Sequence, residues 1–315
     1  MRRVLVTGGS GFIGTSVVAR LAEADEVDLV VSSDLRDPVE RVAGVDYARL
    51  DVTDADAVRA TVTQHGFTTV VHLAAIVNPD PSMPREVIHR VDVEGTRNVL
   101  DACVTNDVKQ VVISSSGAAY GYHADNPAWI GEDTPLRGNE EFAYSHHKRL
   151  VEELLAEYRE RHPELGQTIL RIGTVLGETV DNQITALFER QRLLKIRGSD
   201  SPFVFVWDTD LVEVLVQAVL RGRTGVFNVA GDGAMTVDEI AAELGRPVLA
   251  VPEALLRVVL AVGHGLRLTQ YGPEQTRFLR YRPVLDNGRL KAEFPFTPSL
   301  TSRQAFAAWR VARGL

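Results

Sequence analysis

The chain has 315 residues, enough for one large α/β domain and a smaller one. Its net charge of −8 argues against nucleic acid as a partner, and its single cysteine, Cys103, rules out an intrachain disulfide and a cysteine-cluster metal site. Hydrophobic content of 45% and charged content of 24% are ordinary for a soluble globular protein. With no apolar signal segment ahead of the first strand, a cytoplasmic location is expected.

Val4, Leu5 and Val6 form a short apolar run that reads as a buried strand. Thr7-Gly8-Gly9-Ser10-Gly11-Phe12-Ile13-Gly14 follows and leads into helical spacing over residues 11–24. Strand, glycine-rich turn and helix in this order form a dinucleotide cradle. Gly8 permits the tight turn, Gly11 lets backbone N–H groups approach a pyrophosphate, and Gly14 lets the helix lie against the strand. Ser10, Phe12 and Ile13 share that cradle, because a helix start offers unpaired donors and partial positive charge. Asp34 ends the second strand, where a carboxylate can accept hydrogen bonds from ribose hydroxyls and repel a 2′-phosphate, which favours NAD over NADP. Arg36 stands close enough to pair with a phosphate, so NADP stays open.

Further strands are expected at 27–32, 47–50, 70–73, 111–114 and 168–172, with helices at 54–65, 90–105 and 144–161. Residues 1–172 therefore read as a Rossmann-type, doubly wound parallel sheet in the α/β class, binding its ligand at the carboxyl ends of the strands. After residue 172 the rhythm changes. Strands at 203–206 and 226–229 and helices at 211–220 and 237–244 are expected in a smaller, mainly substrate-binding or lid domain over 173–315, with 203–222 returning to the core. The apolar stretch 254–268 is broken by Arg257, His264 and Arg267. It is expected to be an amphipathic helix covering a pocket rather than a membrane span.

Tyr144 and Lys148 stand four apart at the start of a helix and project from one face. A free tyrosine has a pKa of about 10, and a nearby ammonium favours the phenolate, which suits an acid/base near neutral pH. Upstream, Ser114, Ser115 and Ser116 end an apolar strand at the ligand edge of the sheet. A serine hydroxyl there can stabilise an oxygen that gains or loses hydride. A serine cluster alone is a turn, and a Tyr and Lys alone are a solvated helix face; it is their joint order that points to chemistry.

Taken together, residues 7–14, Asp51 and Val52, His72 to Ala75, 93–99, 114–121, 144–148 and 170–173 resemble an extended short-chain dehydrogenase/reductase of the NAD-dependent epimerase/dehydratase family. The resemblance implies that Ser116 is the catalytic hydroxyl, Tyr144 the acid/base, and Lys148 the residue that binds the nicotinamide ribose and tunes Tyr144. It also implies that Asp51 and Val52 hold the adenine edge. Leu73, Ala74 and Ala75 would lie along the cofactor, Ser114 beside it, and Gly173 and Thr174 near the nicotinamide end. Two positions depart from the family pattern: Asp92 stands where Asn is frequent, and His147 where Ser is common. His147 is expected to contact backbone or solvent rather than to act in catalysis.

Family dehydratases carry Asp-Glu just after the catalytic hydroxyl, where this chain has Gly117 and Ala118, so elimination and decarboxylation by the usual routes are not expected. Oxidation or reduction of a secondary alcohol or ketone remains, alone or as the halves of a sugar-nucleotide 4-epimerisation with tightly bound NAD. The expected partner is accordingly a small molecule, either a sugar nucleotide or a less polar ketone or alcohol. The arginine that often precedes the Val-x-Asp motif is missing from residues 201–208. Arg190, Arg192, Lys195 and Arg197, or Arg277, Arg280 and Arg282, could hold phosphates instead. The tail at 280–298 loosely resembles the closing pattern of a reductase-like branch that acts on ketones and hydroxysteroid-like alcohols, and the apolar segment would suit a less polar substrate; both favour the reductase reading. A non-catalytic NAD(P)-binding regulator is the third reading, weakened by the complete Ser116, Tyr144 and Lys148 set. Helices 90–105 and 144–161 resemble the pair with which family members build a dimeric four-helix bundle, so a homodimer with no membrane contact is expected.

Overall fold

Val4, Leu5 and Val6 are completely buried, as a central strand covered on both faces requires. The computed structural model describes residues 1–80, 82–266 and 272–315. Its strands are β1 (Arg2–Thr7), β2 (Val27–Asp34), β3 (Val45–Arg49), β4 (Thr69–His72), β5 (Gln110–Ser116), β6 (Gly166–Ile172), β7 (Thr174–Leu176), β8 (Leu193–Ile196), β9 (Phe205–Trp207), β10 (Gly225–Val229) and β11 (Val248–Val251). Seven of them form one sheet in the order β3-β2-β1-β4-β5-β6-β10, every pair parallel. Val4 and Val6 face a core shared with Val17, Leu21, Leu215 and Val219, while Leu5 faces the opposite core with Val58, Val99 and Leu155. The chain winds outward from β1 to β3 and then returns to β4 on the other side of β1. That reversal opens a crevice at the carboxyl ends of β1 and β4.

The seventh strand comes from residues 225–229 and the helix Asp208–Arg221 packs into the β1 core, so the latter part of the chain contributes to the sheet layer. The rest gathers around a second core of Phe188, Phe203, Phe205, Met235, Phe306 and Trp309. Two short parallel pairs, β7–β9 and β8–β11, belong to this part. Capping boxes start three of its helices, at Asn182 with Thr185, Thr236 with Glu239 and Thr301 with Gln304.

Several expected boundaries shift. The expected strand at 203–206 moves to β9, with Phe203 bridging to Met235 instead. The expected helix at 90–105 is interrupted. A helix Arg85–His89 runs into a π-turn at Arg90–Glu94 before the α-helix Gly95–Thr105. The apolar segment forms the helix Glu253–Gly265, with Leu256 buried and Leu255, Val258, Val259 and Val262 exposed. Residues 267–271, the first two of which end that segment, lie outside the described residues. Among the described residues no helix is long and apolar enough to cross a membrane.

Candidate active site

The crevice is the mouth of a cavity of about 1360 Å³ that runs from the glycine turn to the second core. Gly8 has φ +72°, and a Cβ there would come within 2.7 Å of the Ala74 backbone nitrogen. A Cβ on Gly14 would meet the Gly8 carbonyl at 2.2 Å. Both glycines thus serve the chain's own packing, one for the turn and one for the helix against it. Gly11 differs: it borders the cavity and caps the helix Phe12–Ala22 with no side-chain bond to the helix N–H groups. A phosphate would be met there by backbone donors and the positive end of the helix.

Asp34 closes the outer end of this cradle. Its carboxylate accepts from the Ser10 N–H at 3.2 Å and the Arg36 N–H at 3.0 Å, and the exposed Arg36 Nε stands 3.8 Å away. Ser10 does not line the cavity. Its hydroxyl donates to the Arg36 carbonyl at 3.0 Å, which ties the glycine turn to the residues just past β2. Phe12, Ile13, Asp51, Val52, Leu73, Ala74, Ala75, Gly173 and Thr174 all border the cavity. The donor set fits a dinucleotide: an open helix start for phosphates, a carboxylate at the second strand end, and an apolar groove between Val52 and Ala74.

Ser114, Ser116, Tyr144 and Lys148 border the same cavity from the end of β5 and the start of the helix Ala143–Arg161. The Lys148 ammonium donates to the Ser114 carbonyl at 2.8 Å and lies 5.8 Å from the centre of the Tyr144 ring. The Ser116 hydroxyl oxygen accepts from the Ala118 N–H at 3.1 Å, which leaves its own hydrogen free to donate into the cavity.

Behind this wall lies a buried chain of hydrogen bonds. His72, at the end of β4, stands 2.7 Å from the Thr7 hydroxyl through Nδ1 and 3.0 Å from the Thr96 hydroxyl through Nε2. The Thr96 hydroxyl donates to the Asp92 carbonyl at 2.6 Å, so it accepts from His72 Nε2–H, and Thr7 donates to Nδ1. That tautomer needs a neutral ring. Burial, helped by the Lys148 charge, lowers the His72 pKa from 6.5 to about 4. The folded state therefore binds this proton less readily than the unfolded chain. The contribution of His72 to stability is fully present above pH 6.5 and is lost as pH falls through about 4. Urea unfolding at pH 7 and pH 4.5 checks this: the wild type is expected to lose about 2 kcal/mol more between the two than His72→Gln. Equal losses would refute it.

A second buried network was not expected from the sequence. Glu152 accepts from Arg171 Nε at 2.9 Å and Nη2 at 2.6 Å, and from the Ser115 hydroxyl. Arg171 Nη1 also donates to the Tyr120 hydroxyl and the Glu132 carbonyl, both at 2.8 Å, and Tyr120 donates to Asn228 at 2.9 Å. The network ties β5, β6 and β10 together below the serine cluster. Its sequence signal was present: an arginine within the apolar run of β6 needs a buried partner.

The expectation for His147 is corrected. It is 1% exposed, and its Nδ1–H donates at 3.3 Å to the Asp92 side chain rather than to backbone or solvent. Of the two basic clusters, only Arg282 reaches the cavity. Lys195 is paired with Asp200 and Asp238, Arg277 with Glu141 and Arg280 with Glu253, while Arg190, Arg192 and Arg197 are exposed. Arg282 lies 3.8 Å over the Phe203 ring and 5.1 Å from Phe278, donates to Ser201, and leaves Nε without a partner among the described residues. Burial lowers its pKa to about 9, so it keeps its charge at neutral pH. Tyr122, Phe142, Ile184, Leu256 and Leu260 give the same cavity apolar wall.

Rat 3 beta-hydroxysteroid dehydrogenase type 7 is 36% identical over 162 residues, which are 49% of this chain and 47% of that protein. An uncharacterized protein of Mycobacterium tuberculosis is 26% identical over 318 residues, covering 99% of this chain and 84% of the relative. Among solved structures, the UDP-glucose 4-epimerase of Thermus thermophilus, in complex with NAD, superposes with a TM-score of 0.73 at 24% identity over 99% of each chain. A family model matches residues 4–230, from β1 to just past β10, and with it the chain belongs to the NAD-dependent epimerase/dehydratase family.

Proposed function

We propose that the protein is an NAD-dependent oxidoreductase that interconverts a secondary alcohol and a ketone, with Tyr144 as the acid/base. The observation that carries the reading is that Ser116, Tyr144 and Lys148 share one cavity with the open helix start at Gly11. NAD, when bound, supplies hydride acceptance and return. Tyr144 takes up or returns the proton of the substrate hydroxyl. Lys148, held by the Ser114 carbonyl, stands beside the Tyr144 ring. Ser116 donates its free hydrogen to the same substrate oxygen. The apolar wall from Phe142 to Leu260 favours a substrate with a weakly polar body.

A second reading, a sugar-nucleotide 4-epimerase that retains its NAD, is favoured by Arg282, whose place at the cavity and retained charge would suit an anionic group. Native mass spectrometry of the purified protein tests the choice. Loss of the cofactor on dilution is expected for the oxidoreductase, whereas NAD retained near one per chain would overturn it in favour of the epimerase. The same spectrum reads the assembly. We propose a homodimer through the helices Gly95–Thr105 and Ala143–Arg161, and a mass of one chain would refute it.

A further inference from the structure

Two buried polar side chains, 55 residues apart in sequence, meet inside the fold. Asp92 and His147 are 4% and 1% exposed and lie in different elements, the π-turn Arg90–Glu94 and the helix Ala143–Arg161. The Asp92 carboxylate uses both oxygens. Oδ2 accepts from His147 Nδ1–H at 3.3 Å, and Oδ1 accepts from the backbone N–H of Ile76 at 2.9 Å. Ile76 directly follows Leu73, Ala74 and Ala75, and all four border the cavity. His147 directly precedes Lys148. One carboxylate therefore joins the strand-end loop that forms one wall of the cofactor groove to the helix that carries Tyr144 and Lys148.

Two features make this a built contact rather than an accident of packing. The π-turn is an irregularity inside an otherwise continuous helical stretch, and such bulges are often found at functional sites. The same residue is also tied from behind, because its carbonyl accepts from Thr96, the last link of the chain through His72 to Thr7 beside the glycine turn. His89 closes the far side, with its ring edge-on to His147 at 5.4 Å.

We propose that Asp92 and His147 act as a coupled positioning pair that sets the loop at residues 73–76 against the helix of Tyr144 and Lys148, and so fixes the width of the dinucleotide groove. Neither is a catalytic residue; both act through the groups they hold. The inference rests on the oxidoreductase reading only in requiring that the groove takes NADH. Removing His147 alone strands one oxygen of a buried carboxylate, which must then find a new donor by moving the loop or the turn. Removing the charge at the same time relieves that demand, because an asparagine at position 92 can still accept from the Ile76 N–H.

The test is NADH binding, read by fluorescence titration of the full-length protein, with thermal melting of the free protein as the control for folding. His147→Ser is expected to weaken NADH binding by about tenfold or more. Asp92→Asn combined with His147→Ser is expected to restore binding to within about threefold of the wild type, the non-additivity that marks coupled residues. If His147→Ser does not fold, His147→Asn keeps a donor toward Asp92 and is expected to bind within about threefold. The pairing is overturned if His147→Ser binds as well as the wild type, if the double variant is as weak as His147→Ser, or if His147→Asn loses binding. A wild-type protein that binds no NADH would overturn the oxidoreductase reading itself and this inference with it.

Discussion

Tyr144→Phe is expected to lower turnover by about 10²- to 10⁴-fold, the range for removing a positioned acid/base, while leaving NADH affinity nearly unchanged. The substitution removes one hydroxyl from a side chain that borders the cavity and keeps the ring beside which the Lys148 ammonium lies. Lys148 keeps its own anchor, the Ser114 carbonyl at 2.8 Å, so the lysine is not released by the change. The measurement is NADH absorbance across a panel of secondary alcohols and sugar nucleotides, run beside a binding titration. Turnover within about fivefold of the wild type would remove Tyr144 from the acid/base role. A wild type inactive on the whole panel, yet binding NADH, would favour the regulator reading.

Glu152→Ala is expected to destabilise the fold by about 3–5 kcal/mol, because it leaves Arg171 buried with its charge uncompensated. Arg171 keeps hydrogen bonds to the Tyr120 hydroxyl and the Glu132 carbonyl, and Ser115 loses its acceptor. Ser115 lies between the residue that anchors Lys148 and the proposed catalytic hydroxyl, so the loss falls directly under the site. Urea denaturation checks it as a lowered midpoint. A change below about 1 kcal/mol would mean that water or rearrangement solvates Arg171 in the variant. The two substitutions separate chemistry from scaffold: the first is expected to spare stability, the second to lower it.

The local grammar of the chain determined the β1–turn–helix unit, the alternation of strands and helices that winds the sheet, and the placement of Ser116, Tyr144 and Lys148 at its ligand edge. These rest on interactions between near neighbours: glycine conformations, helix spacing and apolar runs, all of which are written in consecutive residues. Ser10 shows the limit even there, since its hydroxyl turns to the Arg36 carbonyl across the gap between two strand ends. Tertiary structure alone decided the rest. The pairing of Asp92 with His147, the Glu152–Arg171 network and the position of Arg282, alone of seven basic candidates, at the cavity each depend on residues far apart in sequence. Burial converts such charges from solvated surface groups into groups that must find a partner, and only the folded chain determines which partner is within reach.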